Sequence, residues 1–131
     1  MKLDCLDFLG ISENFTEEEI MVQKTAREFV SKEIMPIIDE CFSKGIFPTE
    51  LIEKFSSLGF LGVNLPEKYG CAGMSNVAYG LICQELERAD SGIRSFVSVQ
   101  GSLVMYPIYA YGSENQKKYW LPKMAKGEKI G

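Results

Sequence analysis

The sequence predicts an all-α fold, a bundle of about five to six helices. Three observations carry this reading. Apolar residues recur at helical spacing in several windows. Helix-start signatures stand directly before those windows. No stretch keeps the strict alternation of a half-buried strand: Val97 and Val99 alternate, but inside a longer helical period.

Along residues 1–15 the signals are weak, with Leu3, Leu6, Phe8 and Leu9 forming a short amphipathic lead-in. Thr16-Glu17-Glu18-Glu19 is a capping box, in which the Thr16 hydroxyl takes an orphan amide and Glu19 reaches back. The first helix places Val22, Ala26, Phe29 and Val30 on one face and is expected to run to about Glu33. Pro36 disfavours helical geometry at Met35, so a kink or break is expected before Ile37–Phe42, and Gly45 ends that segment. Pro48 and Thr49 start a second helix, with Leu51 or Ile52, Phe55 and Leu58 as its stripe and Gly59 at its C′ position.

The run LGFLGVNLPEKYGCAGMS, Leu58 to Ser75, alternates Gly and Pro with apolar residues and reads as a buried connection. Ser75 caps a third helix whose apolar face holds Ala78, Leu81, Ile82 and Leu86, ending near Ala89. After an Asp90-Ser91-Gly92 corner a fourth helix carries Phe96, Val99 and Leu103 as its expected core stripe, opposite Ser95, Ser98 and Ser102. Pro107 interrupts that pattern and Gly112 breaks the chain. Ser113-Glu114-Asn115-Gln116 is a second capping box and opens a fifth helix through Trp120; Pro122 starts one more turn, closed by Gly127.

With 131 residues the chain suffices for one domain with a modest core, residues 1–131. A net charge of −4 argues against a nucleic-acid surface, and no apolar run approaches a membrane span. There is no histidine, which removes His-based triads, and the cysteines at 5, 41, 71 and 83 form no CxxC pair, so no metal site is expected. Scattered cysteines without a signal or transit pattern point to a reducing compartment, a bacterial cytoplasm or a mitochondrial matrix.

The stretch ELERADSGIRSFVSVQGS, Glu85 to Ser102, draws the eye for chemistry. A row of small hydroxyl residues beside one arginine resembles the wall of a small-molecule pocket. Arg94 at a helix start could grip a carboxylate in a forked geometry, or simply pair with Glu87 or Asp90. The serine row could equally serve close helix packing. Glu85 and Glu87 lie two apart, point in different directions and read as a solvated helix end. Gly59, Gly62, Gly70 and Gly73 fit no phosphate-loop pattern and read as turn geometry, and the tyrosines and Trp120 read as core or interface anchors.

From Thr16 to Gly131, and most closely from Gly70 onward, the sequence resembles the N-terminal helical domain of acyl-CoA dehydrogenases. The residues that carry the likeness are LGFLGVNLPEKYGCAGMS and the run from YGLICQELERADSGIRSFVSVQGS to the last residue. Arg94-Ser95 after the Asp-Ser-Gly corner makes it most similar to the glutaryl-CoA dehydrogenase group. The resemblance implies a domain that is followed, in a full-length enzyme, by a middle β domain and a C-terminal helical bundle. It implies FAD as cofactor, an acyl-CoA substrate, an electron-transferring flavoprotein as acceptor and a homotetramer. A glutamate base and the flavin segments belong to the later domains, so neither a catalytic nor a cofactor-binding residue is expected in this chain, and alone it is expected to be inactive. In the glutaryl group the acyl chain is oxidised and then decarboxylated to crotonyl-CoA.

The substrate-binding positions that the resemblance implies are Arg94, for the distal carboxylate, its neighbour Ser95, Glu87 at the same end, and Ser98 and Leu103 along the acyl cavity. Tyr106 stands where close relatives carry histidine. Two other readings stay open: a dehydrogenase of another short-chain acyl-CoA, and a free-standing helical interaction module.

Overall fold

The computed structural model describes residue 7 and residues 9–131. Leu3, Leu6 and Phe8 of the expected lead-in lie outside the described residues; Leu9 is exposed and a single 3-10 turn spans Ile11–Asn14. Among the described residues the chain forms five helices and no strand. They comprise α1 (Glu17–Phe29) continuing into α2 (Met35–Lys44), α3 (Leu51–Ser57), α4 (Asn76–Ala89), α5 (Ser91–Ser98) continuing into α6 (Tyr106–Tyr111), and α7 (Glu114–Ala125).

Both expected capping boxes form. The Thr16 hydroxyl accepts from the Glu19 amide at 3.2 Å while the Glu19 carboxylate accepts from the Thr16 amide at 3.0 Å. Ser113 and Gln116 make the same reciprocal pair at the head of α7. Ser75 caps α4 through the Ala78 amide and also donates to Glu19 Oε1 at 2.6 Å, which ties the starts of α1 and α4 together. That hydroxyl, and next the Thr16 amide, hold the Glu19 carboxyl below its ordinary range.

The prolines differ from the sequence expectation. No break occurs at Pro36, and α1 reaches α2 through a π-helical segment, Val30–Ile34. Pro36 lacks an amide and would orphan a carbonyl in a regular α-helix. The wider turn lets the Met35 amide bond Val30 O instead, and the helix runs on. Pro107 sits just after a second π-helical segment, Val99–Met105, which joins α5 to α6. Pro122, expected to start a new turn, lies inside an unbroken α7.

Two apolar clusters hold the helices. The larger joins Ala26, Val30 and Ile34 to Leu51 and Phe55 of α3, Ile82 and Leu86 of α4, and Ile93 and Val97 of α5. Phe29 meets Phe55 and Phe60 edge-on, with ring centroids 5.7 and 5.9 Å apart. The smaller cluster holds Leu65, Tyr69, Cys71 and Met105 against Leu121, Met124 and Ala125 of α7. The connection 58–75 is buried as expected, with Phe60, Leu61, Val63 and Leu65 all inside. Gly62, at φ +89°, is required there: a β-carbon would come within 2.8 Å of Met105 Cε and 3.1 Å of Cys71 Sγ.

The expected core stripe of the fourth helix is corrected. Ile93, Val97, Gln100, Gly101 and Met105 are the buried positions. Phe96 and Val99 are only half-buried, and Leu103 is 67% exposed. Apolar residues occupy two faces of this helix, and the buried one packs on α1, α3 and α4 through Ile93 and Val97 and on α7 and the 58–75 connection through Met105.

Cys41, Cys71 and Cys83 are free thiols. Burial pushes the Cys71 thiol up to about 11, so almost none is thiolate at pH 8. Iodoacetamide at pH 8 is therefore expected to leave Cys71 unmodified in the native chain while alkylating the better-exposed Cys41, with peptide mass spectrometry as the readout. Labelling of both at one rate would contradict the packing around Gly62.

Candidate functional site

The edge where α4 meets α5 carries most of the residues singled out in the sequence. Asp90 alone links the two helices, and its carboxylate accepts from the Ile93 amide at 2.8 Å to start α5. The tight corner brings Glu87, in the last turn of α4, against Arg94, in the first turn of α5. Arg94 Nε donates to Glu87 Oε2 at 2.6 Å, and Ser91 donates to Glu87 Oε1 at 2.6 Å. The guanidinium first, and then the Ser91 hydroxyl, hold the Glu87 carboxyl below its ordinary range, so the pair stays charged at neutral pH.

Arg94 Nη1 donates to Ser98 Oγ at 3.1 Å, one turn along. Nη2 has no partner among the described residues. Ser98 in turn donates to Ser95 O, and Ser102 donates to Ser98 O at 2.5 Å. Tyr79 and Cys83 of α4 face the same edge; burial raises both, while Ser102 pulls Tyr79 the other way and Tyr79 does the same for Cys83.

Glu87, Arg94 and Ser98 are thus brought together through their side chains, whereas the Ser95 side chain and Leu103 take no part in that cluster. Ser95 lines a groove of about 380 Å³ with Phe47, Gly92, Phe96, Val99, Gln100, Ile130 and Gly131, in which Glu87, Arg94 and Ser98 take no part. Leu103 lies on the outer face of the π-helical segment.

Glu85 corrects the reading of a solvated helix end. Its side chain is 1% exposed. Arg27 of α1 donates to it through Nε, 3.1 Å from both oxygens, and through Nη2 at 2.7 Å. Arg88 Nε adds a fourth bond at 3.1 Å. The sequence did hold a signal: position 85 falls four after Leu81 and three after Ile82, on the apolar face of α4.

Gln100 was not singled out either. It is 1% exposed, and its carboxamide donates to Lys129 O at 2.9 Å and accepts from the Gly131 amide at 3.0 Å.

No group of three or more metal-binding side chains occurs among the described residues. No helix there is long and apolar enough to cross a membrane. Every buried side-chain nitrogen and oxygen among them already has a partner. The polar edge of a flavin ring would therefore find no unpaired buried side-chain donor or acceptor waiting for it among the described residues.

A family model described as acyl-CoA dehydrogenase, N-terminal domain, matches residues 16–128. The glutaryl-CoA dehydrogenase of Mycobacterium smegmatis is 52% identical in one crystal structure, over 93% of this chain and 32% of that one, with a TM-score of 0.87. A second structure of a glutaryl-CoA dehydrogenase from the same organism, in complex with FADH2, is 48% identical over 93% of this chain and 31% of that one, with a TM-score of 0.89. The 3-(aryl)acrylate reductase of Clostridium sporogenes is 38% identical over 88% of this chain and 30% of its own length. The mouse short-chain specific acyl-CoA dehydrogenase is 35% identical over 88% of this chain and 28% of its own length. The chain thus spans about three tenths of the length of these relatives.

Proposed function

Because the chain belongs to the acyl-CoA dehydrogenase family, as its N-terminal domain, we propose that residues 1–131 serve as the helical domain of a longer FAD-dependent dehydrogenase acting on glutaryl-CoA. In this reading the α4–α5 edge is the specificity end of the acyl pocket. Arg94 meets the distal carboxylate of the diacid chain, Glu87 and Ser98 hold the guanidinium in place, and Ser95 and Leu103 line the approach of the acyl chain. The observation that carries the reading is Arg94 itself, anchored through Nε and Nη1 with Nη2 still without a partner among the described residues. A carboxylate taken out of water needs a charged partner, and a fixed guanidinium fork supplies one.

The overall conversion would be glutaryl-CoA to crotonyl-CoA, carbon dioxide and one proton, with two electrons leaving for an electron-transferring flavoprotein; FAD held by the rest of the enzyme would supply that redox chemistry. We place the enzyme, as a homotetramer, in a bacterial cytoplasm or a mitochondrial matrix. Three free thiols support a reducing compartment.

A second reading, a neutral short-chain acyl-CoA as substrate, is favoured by one contact. Glu87 already neutralises Arg94 at 2.6 Å. The full-length enzyme, assayed with a dye acceptor on glutaryl-CoA and butyryl-CoA, separates the two. Faster dye reduction on glutaryl-CoA, with release of crotonyl-CoA and carbon dioxide, is the expected result. Turnover of butyryl-CoA alone would establish the second reading instead.

A further inference from the structure

Gln100 makes an unusual pair of contacts with the segment that follows α7. Its amide nitrogen donates to Lys129 O, its amide oxygen accepts from the Gly131 N–H, and Ile130 lies between the two. A residue on a neighbouring parallel strand would bond the two residues flanking its opposite number in the same way. One side chain therefore does the work of a strand partner. The same nitrogen also reaches Met124 O at 3.4 Å, so the end of α7 and residues 129–131 share one anchor.

Gln100 projects from the π-helical segment Val99–Met105, the same continuous helix that carries Arg94 and Ser95. Its side chain is fully buried and its bonding capacity is taken up by main chain. The groove beside Ser95 is bounded on one side by Phe96, Val99 and Gln100 of this helix and on the other by Ile130 and Gly131. Nothing in the regular hydrogen-bonding of α7 fixes Ile130. Lys129 is also tied back to α7, its amide donating to Lys123 O at 3.4 Å, and past it the Gln100 carboxamide accepts the hydrogen bond from Gly131 that spans the groove.

We propose that Gln100 is a positioning residue: by clamping residues 129 and 131 it holds Ile130 as the far wall of the groove beside Ser95, and so sets how closely that groove fits an acyl chain. The proposal rests on the acyl-pocket reading above but not on the diacid part of it. Ile130 is apolar and would touch the methylenes of glutaryl and butyryl chains alike.

The test uses the full-length enzyme with both thioesters. Gln100→Leu keeps the side-chain bulk and removes both hydrogen-bonding functions. It is expected to raise KM about tenfold on each thioester that the enzyme turns over, with kcat changed less than about threefold, as for lost binding shared by ground and transition states. Exchange of the Gly131 amide, read by hydrogen–deuterium mass spectrometry, should speed up in the same variant. Ile130→Ala removes the wall and leaves the clamp; it should raise KM in the same way with Gly131 exchange unchanged.

A lowered melting temperature in Gln100→Leu with KM unaltered would reduce the clamp to plain structural support and overturn the proposal. Unchanged Gly131 exchange would overturn it as well. Should Gln100→Leu fail to fold, Ile130→Ala decides, since an unaltered KM there removes the wall. Failure of the diacid reading looks different: it leaves these shifts intact on whichever thioester is turned over and appears as turnover of butyryl-CoA alone, or as an Arg94 variant that does not discriminate between the thioesters.

Discussion

Arg94→Gln in the full-length enzyme is expected to lower kcat/KM on glutaryl-CoA by roughly 100-fold, the size of a lost charge-assisted hydrogen-bonding pair. Turnover of butyryl-CoA should stay within about threefold, because nothing at the distal end of a neutral chain needs a cation. The selectivity of the effect follows from the geometry. Glutamine keeps a donor near the position of Arg94 Nε but loses the positive charge, the fork and the reach of the Nη atoms. Glu87 would then face the incoming carboxylate with no cation between them. Like charges brought together out of water are costly, and the diacid bears that cost alone. Arg94→Lys separates charge from shape: it keeps the cation, loses the bidentate grip, and should recover part of the loss on glutaryl-CoA. Steady-state kinetics on the two thioesters decide the matter, and an equal loss on both would sink the diacid reading.

The same edge shows how far the sequence can be read. The Thr16 and Ser113 caps, the Ser75 cap and the apolar face of α4 were legible because each depends on residues three or four apart. Arg94 paired with Glu87, one of its two expected plain partners, because the one-residue corner leaves little choice of neighbour. What escaped was non-local or aperiodic. A π-helical turn leaves no periodic mark in the sequence, so Pro36 read as a kink or a break and Pro107 as an interruption, and the break does not occur because both prolines are carried inside continuous helices. The register of the fourth helix failed because Phe96, Val99 and Leu103 also make a tidy stripe. Only the packed neighbours reveal the register: Ile93 and Val97 face α1, α3 and α4, and Met105 faces α7 and the 58–75 connection. Ser95 separates from Arg94 for a simpler reason: adjacent residues on a helix point about 100° apart, one toward Glu87 and the other into the groove beside Ile130.

Glu85→Ala is expected to destabilise the protein by roughly 2–4 kcal/mol, within or just below the range for breaking a buried ion pair from one side. The acid is the one anion between two guanidiniums at the seam of α1 and α4. Removing it leaves Arg27 and Arg88 facing each other across a small void. Relief is available on one side, since the Arg27 side chain is 58% exposed and can turn to water. Arg88 is held more firmly, donating to Ser31 Oγ at 2.9 Å and to Arg27 O at 3.3 Å, and it keeps its charge against the seam. Arg27→Met should cost less than Glu85→Ala, because Arg88 still pairs the carboxylate. Combining the two changes should cost less than their sum, because the second removes a charge that the first had stranded. Urea unfolding of the three variants measures this coupling, and strict additivity would mean that the carboxylate and the Arg27 guanidinium do not support each other. The kinetic consequence differs in kind from that of Arg94. Loss of Glu85 loosens the seam on which α4 is seated, lowering the folded fraction for every substrate alike, whereas loss of Arg94 should alter the choice between substrates in a protein that remains folded.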